Sequence, residues 1–225
     1  MDYLYWDQKT IADLSDTAIN GMYEKGYVFT RIGRGVMQQT RSVRIDLSKF
    51  YLTSENRRIL RKIPDLLLYI SKVPLSDYGY ALGKLAKDFY DVKFGPGIMS
   101  AQKAKEMLTD SAKTNFNALV TYSVESAVIG YAICYSSSDM LHYSYPFYSL
   151  EKAPKDMGLC MMIRAIEWAK SEDKKYIYLG SLQRPSDTYK LQFEGLEWFD
   201  GGPEGTGKWT SDLDAVKKIL ASAKM

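Results

Sequence analysis

The side chains best suited to chemistry in this sequence are basic ones, concentrated near its N-terminal end. Residues 25–62 hold ten lysines and arginines against two acidic residues, a local charge of +8. The rest of the chain holds 20 basic and 25 acidic residues, so the net charge of +3 hides a segregated distribution. Such segregation is typical of a protein that binds a polyanion with one face.

The basic residues are densest at Arg57, Arg58, Arg61 and Lys62, which a helix would place on one broad side. A run of this kind is often only a solvated helix face, but the arginines upstream favour phosphate contact.

Histidine and cysteine offer little for catalysis or metal binding. His142 is the single histidine, and Cys134 and Cys160 lie far apart with no CxxC spacing. Zinc and iron–sulfur sites built from such residues are therefore excluded, and we expect no metal. His142 could act as a general base with a pKa of ~6.5. Since spacing pairs it with no serine or cysteine nucleophile, a structural role is favoured.

Length and composition are those of an ordinary globular protein. The 225 residues fit one large domain or a compact fused pair, and 46% hydrophobic with 25% charged residues exclude disordered and collagen-like classes. The N-terminal end lacks a charged segment followed by an apolar one, and no apolar run is long enough to span a membrane. We therefore expect a cytoplasmic protein with no membrane partner. A division into residues 1–75 and 76–225 is predicted, with the alternative that both form one compact unit.

The elements that must position these residues follow from hydrophobic periodicity. Helices are predicted at residues 8–25, from Thr53 or Ser54 to Lys62, and at 76–91, 100–112, 156–171, 185–193 and 212–223. Strands are predicted at residues 27–32, 36–47, 116–124, 128–136, 140–148, 175–179 and 196–199. Val43 and Ile45 alternate with Arg44, so the arginine is expected to project from the face opposite the core.

The second half of the chain has an element order that resembles a known fold. Three consecutive strands predict an antiparallel meander, which is followed by a loop, a helix, a strand, a helix and a strand. This order resembles the GNAT acyltransferase fold, in which the strands flanking the long helix splay into a wedge for the acyl donor. We expect an α+β protein with an antiparallel meander, a central wedge and an N-terminal helix and strand extension.

The loop that enters the long helix, Lys155–Cys160, is a possible cofactor site. Acetyl-CoA-dependent GNAT enzymes have a Q/R-x-x-G-x-G/A loop there, whose backbone N–H groups bind a pyrophosphate. This loop has a single glycine, Gly158. An ordinary helix start is therefore the favoured interpretation.

Two separated motifs are more specific. Tyr176–Gly180, followed by the segment YKLQFEGLE at residues 189–197, resembles the C-terminal signature of the aminoacyl-tRNA-protein transferases of the N-degron pathway. That signature reads approximately Y-x-Y-L-G-Y, then Y-K-x-x-F-x-P-x-E. In the N-terminal half, Ser42–Ile45, Phe50 and Thr53–Arg61 resemble the family's arginine-rich stretch R-[IV]-x-V-x-x-F-x-P-S-x-S-Q-R-R-x-x-R. The resemblance spans residues 20–200.

The resemblance implies a reaction and its partners. An amino acid, arginine or leucine, would be transferred from its tRNA to the N-terminal amine of a protein whose first residue is acidic, marking that protein for degradation. Residues 1–75 would form a basic aminoacyl-transferase region and residues 76–225 a GNAT-like transferase region. Aminoacyl-tRNA would be a co-substrate, with no cofactor and no DNA partner. Because an α-amine has a pKa of ~7.7–8.0 and the ester is activated, proximity and oxyanion stabilisation could supply most of the acceleration.

The same resemblance implies roles for individual residues. The expected catalytic residues are Tyr178, Tyr189 and Glu197, the last as a proton acceptor or an orienting group. Substrate binding is expected from Arg41, Arg44, Gly180 and Phe193, where either arginine could pair with the acidic acceptor residue. Binding to tRNA phosphates or the acceptor end is expected from Arg57, Arg58, Arg61, Lys62 and Lys190.

The chain also departs from the family pattern. The family's cysteine cluster, expected between Gly26 and Arg41, is absent, so metal or haem sensing tied to it does not apply. Gly195 stands where proline is typical. Two other functions stay open: an acetyl-CoA-dependent N-acetyltransferase that uses the Lys155–Cys160 loop, and a catalytically inactive relative that binds tRNA.

Overall fold

The structure, a computed structural model, describes residues 3–201 and 206–222. The chain divides into two compact units, each assembled from separate stretches of sequence. The first unit contains residues 1–53, 137–142 and 169–225, and the second contains residues 54–136 and 143–168. The boundary that the sequence places near residue 75 stays a prediction.

The described residues form six α-helices, one 3-10 helix and eleven strands. In order, the described elements are β1 Asp7–Thr10, α1 Asp16–Glu24, β2 Tyr27–Phe29, β3 Val36–Gln39, β4 Ser42–Asp46, α2 Ser54–Leu60, β5 Leu67–Lys72, α3 Tyr80–Phe94, α4 Ala101–Thr109, β6 Ala118–Val124, β7 Ala127–Ser136, β8 Met140–Tyr148, α5 Met157–Ser171, β9 Tyr176–Ser181, a 3-10 helix Pro185–Gln192, β10 Leu196–Asp200, β11 Lys208–Thr210 and α6 Leu213–Ser222. In the described ranges, no helix is both long and apolar enough to cross a membrane.

The first unit is built on strands from both ends of the chain. It contains a three-stranded antiparallel sheet in the order β1-β3-β2 and a second series in the order β11-β10-β4-β9-β8. Strand β4 is antiparallel to both β9 and β10. Strand β9 instead runs parallel to the start of β8, and the register of this pair ends at His142 opposite Tyr178. Parallel neighbours need a crossover connection, which α5 provides.

The second unit contains the meander and most of the helices. Its strands follow the order β8-β7-β6-β5, with β6 antiparallel to β5 and β7. Hydrogen bonds that hold α5 include that of the Tyr122 hydroxyl, which donates to the Met161 carbonyl at 2.9 Å, and that of the Cys160 thiol, which donates to the Ile59 carbonyl at 3.3 Å. Through Ile59, α2 buries its apolar side and leaves its basic side exposed.

Much of the predicted element order is confirmed. The α+β class, the antiparallel meander, the N-terminal helix and strand extension and the helix-strand-helix-strand order after the meander are all present. The last predicted helix extends to Ala223, which lies outside the described residues. The predicted short helix at 185–193 is a 3-10 helix rather than an α-helix.

Several predicted boundaries are wrong. The strand predicted at 36–47 is two strands, because the chain leaves the three-stranded sheet at Thr40 and begins β4 at Ser42. The Ser42 hydroxyl donates to the Gly26 carbonyl at 2.8 Å. The helix predicted from residue 8 begins only at Asp16, after the Ser15 cap, since residues 7–10 pair with β3 instead. Strands β5 and β11 are additional to the predicted ones: β11 has only three residues, and the sequence LLYISK of β5 shows no regular alternation of apolar and polar residues.

Candidate active site

The Arg44 and Glu197 side chains form an ion pair between neighbouring strands. The two residues are opposite one another in the β4–β10 register, and Arg44 Nε and Nη2 each lie 2.8 Å from Glu197 Oε2. The second carboxylate oxygen lies 3.6 Å from Lys49 Nζ. The guanidinium that could pair with an acidic acceptor is therefore already engaged by Glu197. The Glu197 carboxylate is likewise held by two cations.

Aromatic rings enclose the Arg44 guanidinium on both sides. Its central carbon lies 4.0 Å from the centre of the Tyr176 ring and 4.1 Å from the centre of the Trp209 ring. Such stacking is favourable because the ring faces are electron-rich. As predicted, Arg44 projects to the opposite face from Val43 and Ile45. That face is not solvated, however, because the rings leave Arg44 only 8% exposed.

Tyr178 is a buried phenol on β9. Its ring packs edge-on against Tyr23 and Trp209, with centroid distances of 4.8 and 5.7 Å. Burial raises the pKa of Tyr178 to about 12, although the nearby Arg44 guanidinium opposes the shift. The phenol is therefore protonated near neutral pH, so it can donate a hydrogen bond but cannot act as a base.

His142 is a structural residue, as the sequence favoured. It is 3% exposed, and its Nδ1 lies 2.7 Å from the Tyr23 hydroxyl. The same hydroxyl accepts the Phe29 N–H at 3.2 Å. Burial, assisted by the positive charge of Lys190, lowers the pKa of His142 to about 3. The imidazole is therefore neutral and fixed, which removes it as a titrating general base near pH 7.

Lys190 is placed differently from what phosphate binding requires. The residue lies on the 3-10 helix and is only 9% exposed, and its ammonium donates to the Ser181 carbonyl at 2.9 Å. Burial lowers its pKa, and the Asp187 carboxylate partly opposes this. A buried ammonium cannot lie along the exposed backbone of a nucleic acid, so this residue is suited to a smaller ligand.

The other residues expected near the transfer site differ in how far they are exposed. Tyr189 is 45% exposed, whereas Phe193 is 3% exposed and packs in the core. Arg41 donates from Nη1 to the Leu182 carbonyl at 3.2 Å, and its buried Nε has no hydrogen-bond partner among the described residues. Burial lowers the pKa of Arg41, while the Asp200 carboxylate raises it.

Gly195 explains one departure from the family pattern. Its φ of +74° lies in the left-handed region, which proline cannot adopt because its ring fixes φ near −65°. A Cβ at this position would lie 2.6 Å from the Asp46 carbonyl oxygen. Glycine is therefore required where the family usually has proline.

The four basic residues of the expected tRNA-binding run lie in the second unit, at or just after α2, and all are exposed. Arg58 and Lys62 are paired with carboxylates within the protein. Arg58 binds Glu55 through two hydrogen bonds of 2.7 and 2.5 Å, and Lys62 forms an ion pair with Asp156. The predicted solvated side of the helix is therefore confirmed, and a polyanion would compete with these internal carboxylates.

The Lys155–Cys160 loop does not offer the backbone donors that acetyl-CoA would need. The Met157 N–H donates to the Pro154 carbonyl, and the Leu159 and Cys160 N–H groups both donate to the Asp156 carbonyl, at 3.3, 3.0 and 2.9 Å. The Gly158 N–H donates to the Tyr148 hydroxyl, whose ring lies 3.3 Å from where a Cβ on Gly158 would be. This segment is a helix start, the interpretation that the sequence favoured, and Asp156 directly before it has a left-handed φ of +67°.

Trp209 was missed by sequence reasoning. Besides stacking on Arg44, it donates from its indole to the Glu24 carbonyl at 2.8 Å. A small recess nearby, open to solvent, is lined by Glu24, Asp139, Lys175 and Tyr176 among others. Trp209 lies beyond the motifs quoted above, and its only signal in the sequence was an isolated large aromatic residue in a glycine-rich segment.

Comparison with known proteins adds to this geometry. The family model described as "Arginine-tRNA-protein transferase, C terminus" matches residues 88–200. An aspartate/glutamate leucyltransferase of Brucella suis is 26% identical over 178 residues, covering 73% of this chain and 70% of that protein. Another, from Stenotrophomonas maltophilia, is 24% identical over 216 residues, covering 88% of this chain and 86% of that protein. Among solved structures, L-PGS from Bacillus licheniformis aligns over 92% of this chain and 69% of that chain, with 12% identity and a TM-score of 0.48.

Proposed function

The chain belongs to the arginine-tRNA-protein transferase C-terminal family, and from this membership we propose that it transfers leucine from Leu-tRNA to an N-terminal aspartate or glutamate of an acceptor protein. The coarser statement, that the protein is an aminoacyltransferase, follows from the family and from relatives named as leucyltransferases. The names of these relatives are what favour leucine over arginine as the donor amino acid.

One observation carries the proposal. The family match at residues 88–200 spans β9, the 3-10 helix and β10, which together hold Tyr178, Gly180, Tyr189, Lys190 and Glu197. All five residues belong to the first unit. The matched sequence therefore includes these candidate residues, and Arg44 and Trp209 lie outside it.

The proposed chemistry asks little of the protein side chains. The neutral α-amine of the acceptor attacks the carbonyl carbon of the aminoacyl ester and forms the new peptide bond. The bond to the ribose oxygen breaks, and that oxygen takes up the proton that the amine releases. No cofactor is proposed, since the ester itself is the activated donor. The main contribution of the protein is to orient the two substrates.

The geometry assigns roles within this scheme. Glu197 acts as an orienting group rather than a proton acceptor, because Arg44 and Lys49 already stabilise its carboxylate. Tyr178 is protonated and forms a hydrogen bond with Arg44. Tyr189 is exposed and is proposed to contact the substrate. The exposed basic residues of α2 are proposed to bind tRNA phosphates. Attachment of leucine to an acidic N-terminus would mark the acceptor for degradation.

The test is a direct transfer assay. Protein is mixed with radiolabelled Leu-tRNA or Arg-tRNA and with peptides that begin with Asp, Glu, Lys or Ala and are otherwise identical. Label from Leu-tRNA is expected on the Asp and Glu peptides alone. Transfer from Arg-tRNA instead would replace the proposed donor, and binding of tRNA with no transfer to any peptide would identify an inactive tRNA-binding relative.

A further inference from the structure

Lys190 is a buried cation whose hydrogen-bonding capacity is mostly unused. A lysine ammonium has three N–H donors. Among the described residues, the Ser181 carbonyl is the acceptor that lies within hydrogen-bond distance of it, at 2.9 Å. Asp187 acts on Lys190 only through space, because its carboxylate oxygen Oδ2 accepts the Gln183 and Arg184 N–H groups at 2.8 and 2.9 Å. Two donors of a side chain that is 9% exposed are thus left for a ligand.

The backbone of β9 shows on which side of the strand this ammonium lies. The Leu182 N–H donates to the Arg41 carbonyl, so it points toward β4. In a trans peptide the C=O and the following N–H point in opposite directions. The Ser181 carbonyl therefore points away from β4, and Lys190 approaches β9 from the side on which β8 pairs with it. That pairing ends at Tyr178, three residues before Ser181.

Space for a ligand exists beside the ammonium, at Gly180. This glycine has a φ of +76°, and, residues 179–181 aside, the Lys190 Nζ at 3.9 Å is the one described atom within 4 Å of the place where its Cβ would be. A glycine in an open position with left-handed φ lets another molecule approach the backbone closely. A buried donor group and an open backbone surface thus adjoin each other.

We propose that Lys190 binds the side-chain carboxylate of the acceptor's N-terminal aspartate or glutamate in the space beside Gly180. This inference rests on the proposed function and names the residue that selects the acceptor. A carboxylate supplies the full negative charge that a buried ammonium lacks, and it is small enough to enter where a nucleic-acid backbone cannot. The two arginines that the sequence offered for this task are placed elsewhere: Arg44 is bound to Glu197, and Arg41 lies on the β4 side of β9.

The experiment compares acceptor peptides that begin with Asp or with Asn, which have the same shape but differ in charge. Their affinities are measured by fluorescence anisotropy without tRNA, for the wild-type protein and for Lys190→Met. The wild-type protein is expected to prefer the Asp peptide. In Lys190→Met, affinity for the Asp peptide should fall roughly 10- to 100-fold, and affinity for the Asn peptide should change less than about threefold.

A matched control comes from Lys174, whose ammonium also donates to a backbone carbonyl, that of Ser137 at 2.5 Å. Lys174→Met should leave the preference for Asp over Asn unchanged. Should Lys190→Met fail to fold, a measurement on the wild-type protein still tests whether Lys190 binds the carboxylate. Its Lys190 ammonium signal in a ¹H–¹⁵N spectrum, assigned by its loss in Lys190→Arg, should shift with the Asp peptide and not with the Asn peptide.

The outcomes separate this inference from the proposed function. Lys190-dependent preference for Asp without any leucine transfer would overturn the function and keep the carboxylate site. Normal transfer with an unchanged Asp preference in Lys190→Met would overturn the carboxylate site and keep the function. An equal loss of affinity for the Asp and Asn peptides would also overturn the carboxylate site, because Lys190 would then contact a part that the two peptides share.

Discussion

Arg44 and Glu197 are joined across β4 and β10 by two contacts of 2.8 Å to a single carboxylate oxygen, Glu197 Oε2. Their side chains are only 10% and 19% exposed. The pair is closed on both faces by Tyr176 and Trp209. It therefore anchors the part of the first unit that contains Tyr178, rather than presenting a free cation to a substrate.

Breaking this pair should strongly destabilise the protein. Glu197→Gln leaves the Arg44 guanidinium buried beside a neutral group, and the free energy of unfolding should fall by about 3 kcal/mol. Urea denaturation measures this loss. The double variant Arg44→Met/Glu197→Gln should lose less than the two single variants added together, because the unpaired charge is gone. The exposed Arg58–Glu55 pair is the control: Glu55→Gln should change stability by less than about 1 kcal/mol.

His142 should make stability depend on pH. Its folded-state pKa of about 3 lies below the unfolded value near ~6.5, so the unfolded chain binds a proton first as the pH falls. The contribution of His142 to stability should therefore be constant above pH ~6.5 and decline below it, with a loss of about 2 kcal/mol between pH 7 and 5. Urea midpoints measured across this range for His142→Gln should show a correspondingly shallower decline. An identical slope in the variant would contradict the assignment.

Gly180→Ala should damage transfer more than stability. The left-handed φ of +76° costs an alanine about 1 kcal/mol, and the methyl group would occupy the space beside Lys190. Leucine transfer to an Asp peptide should drop at least about tenfold. Gly97→Ala is the matched control, with a φ of +82° and nothing within 4 Å. It should show a similar shift in thermal midpoint and full activity. Equal activities in the two variants would remove Gly180 from the site.

Acetyl-CoA should not bind. The backbone N–H groups of residues 157–160 are already hydrogen-bonded within the protein. A ligand at 100 times its Kd would stabilise the folded state by about 2.7 kcal/mol, which is several degrees in melting temperature. Saturating acetyl-CoA is expected to leave the thermal midpoint unchanged within about 1 °C. A rise of several degrees would restore the acetyltransferase alternative.

The basic side of α2 should determine the salt dependence of tRNA binding. Replacement of Arg57 and Arg58 by Glu should weaken binding and make the slope of log K against log salt shallower by roughly two. The control is Lys84→Glu/Lys87→Glu on α3, where both lysines are exposed and paired with Asp88 and Asp91. Its salt slope should match that of the wild type. If both double variants behave alike, α2 is an ordinary solvated helix.

The sequence by itself determined the elements and the exposed chemistry. Local periodicity predicted the meander and α5. The spacing of Ile59 and Arg58 predicted which side of α2 is buried and which is basic and exposed. These features depend on neighbours within a few positions of the chain, so a single sequence contains the information. The motifs at residues 176–180 and 189–197 likewise identified the family from their order alone.

The tertiary structure alone decided what each candidate residue can do. Arg44 is closed in by Trp209, which is far away in sequence, and Lys190 is buried against Ser181 rather than exposed to phosphates. Whether a charge is free, paired or buried depends on packing between distant segments, which alternation and spacing do not report. For this reason an arginine expected to bind substrate became a structural ion pair, and a lysine expected on a nucleic-acid surface became a buried donor beside Gly180.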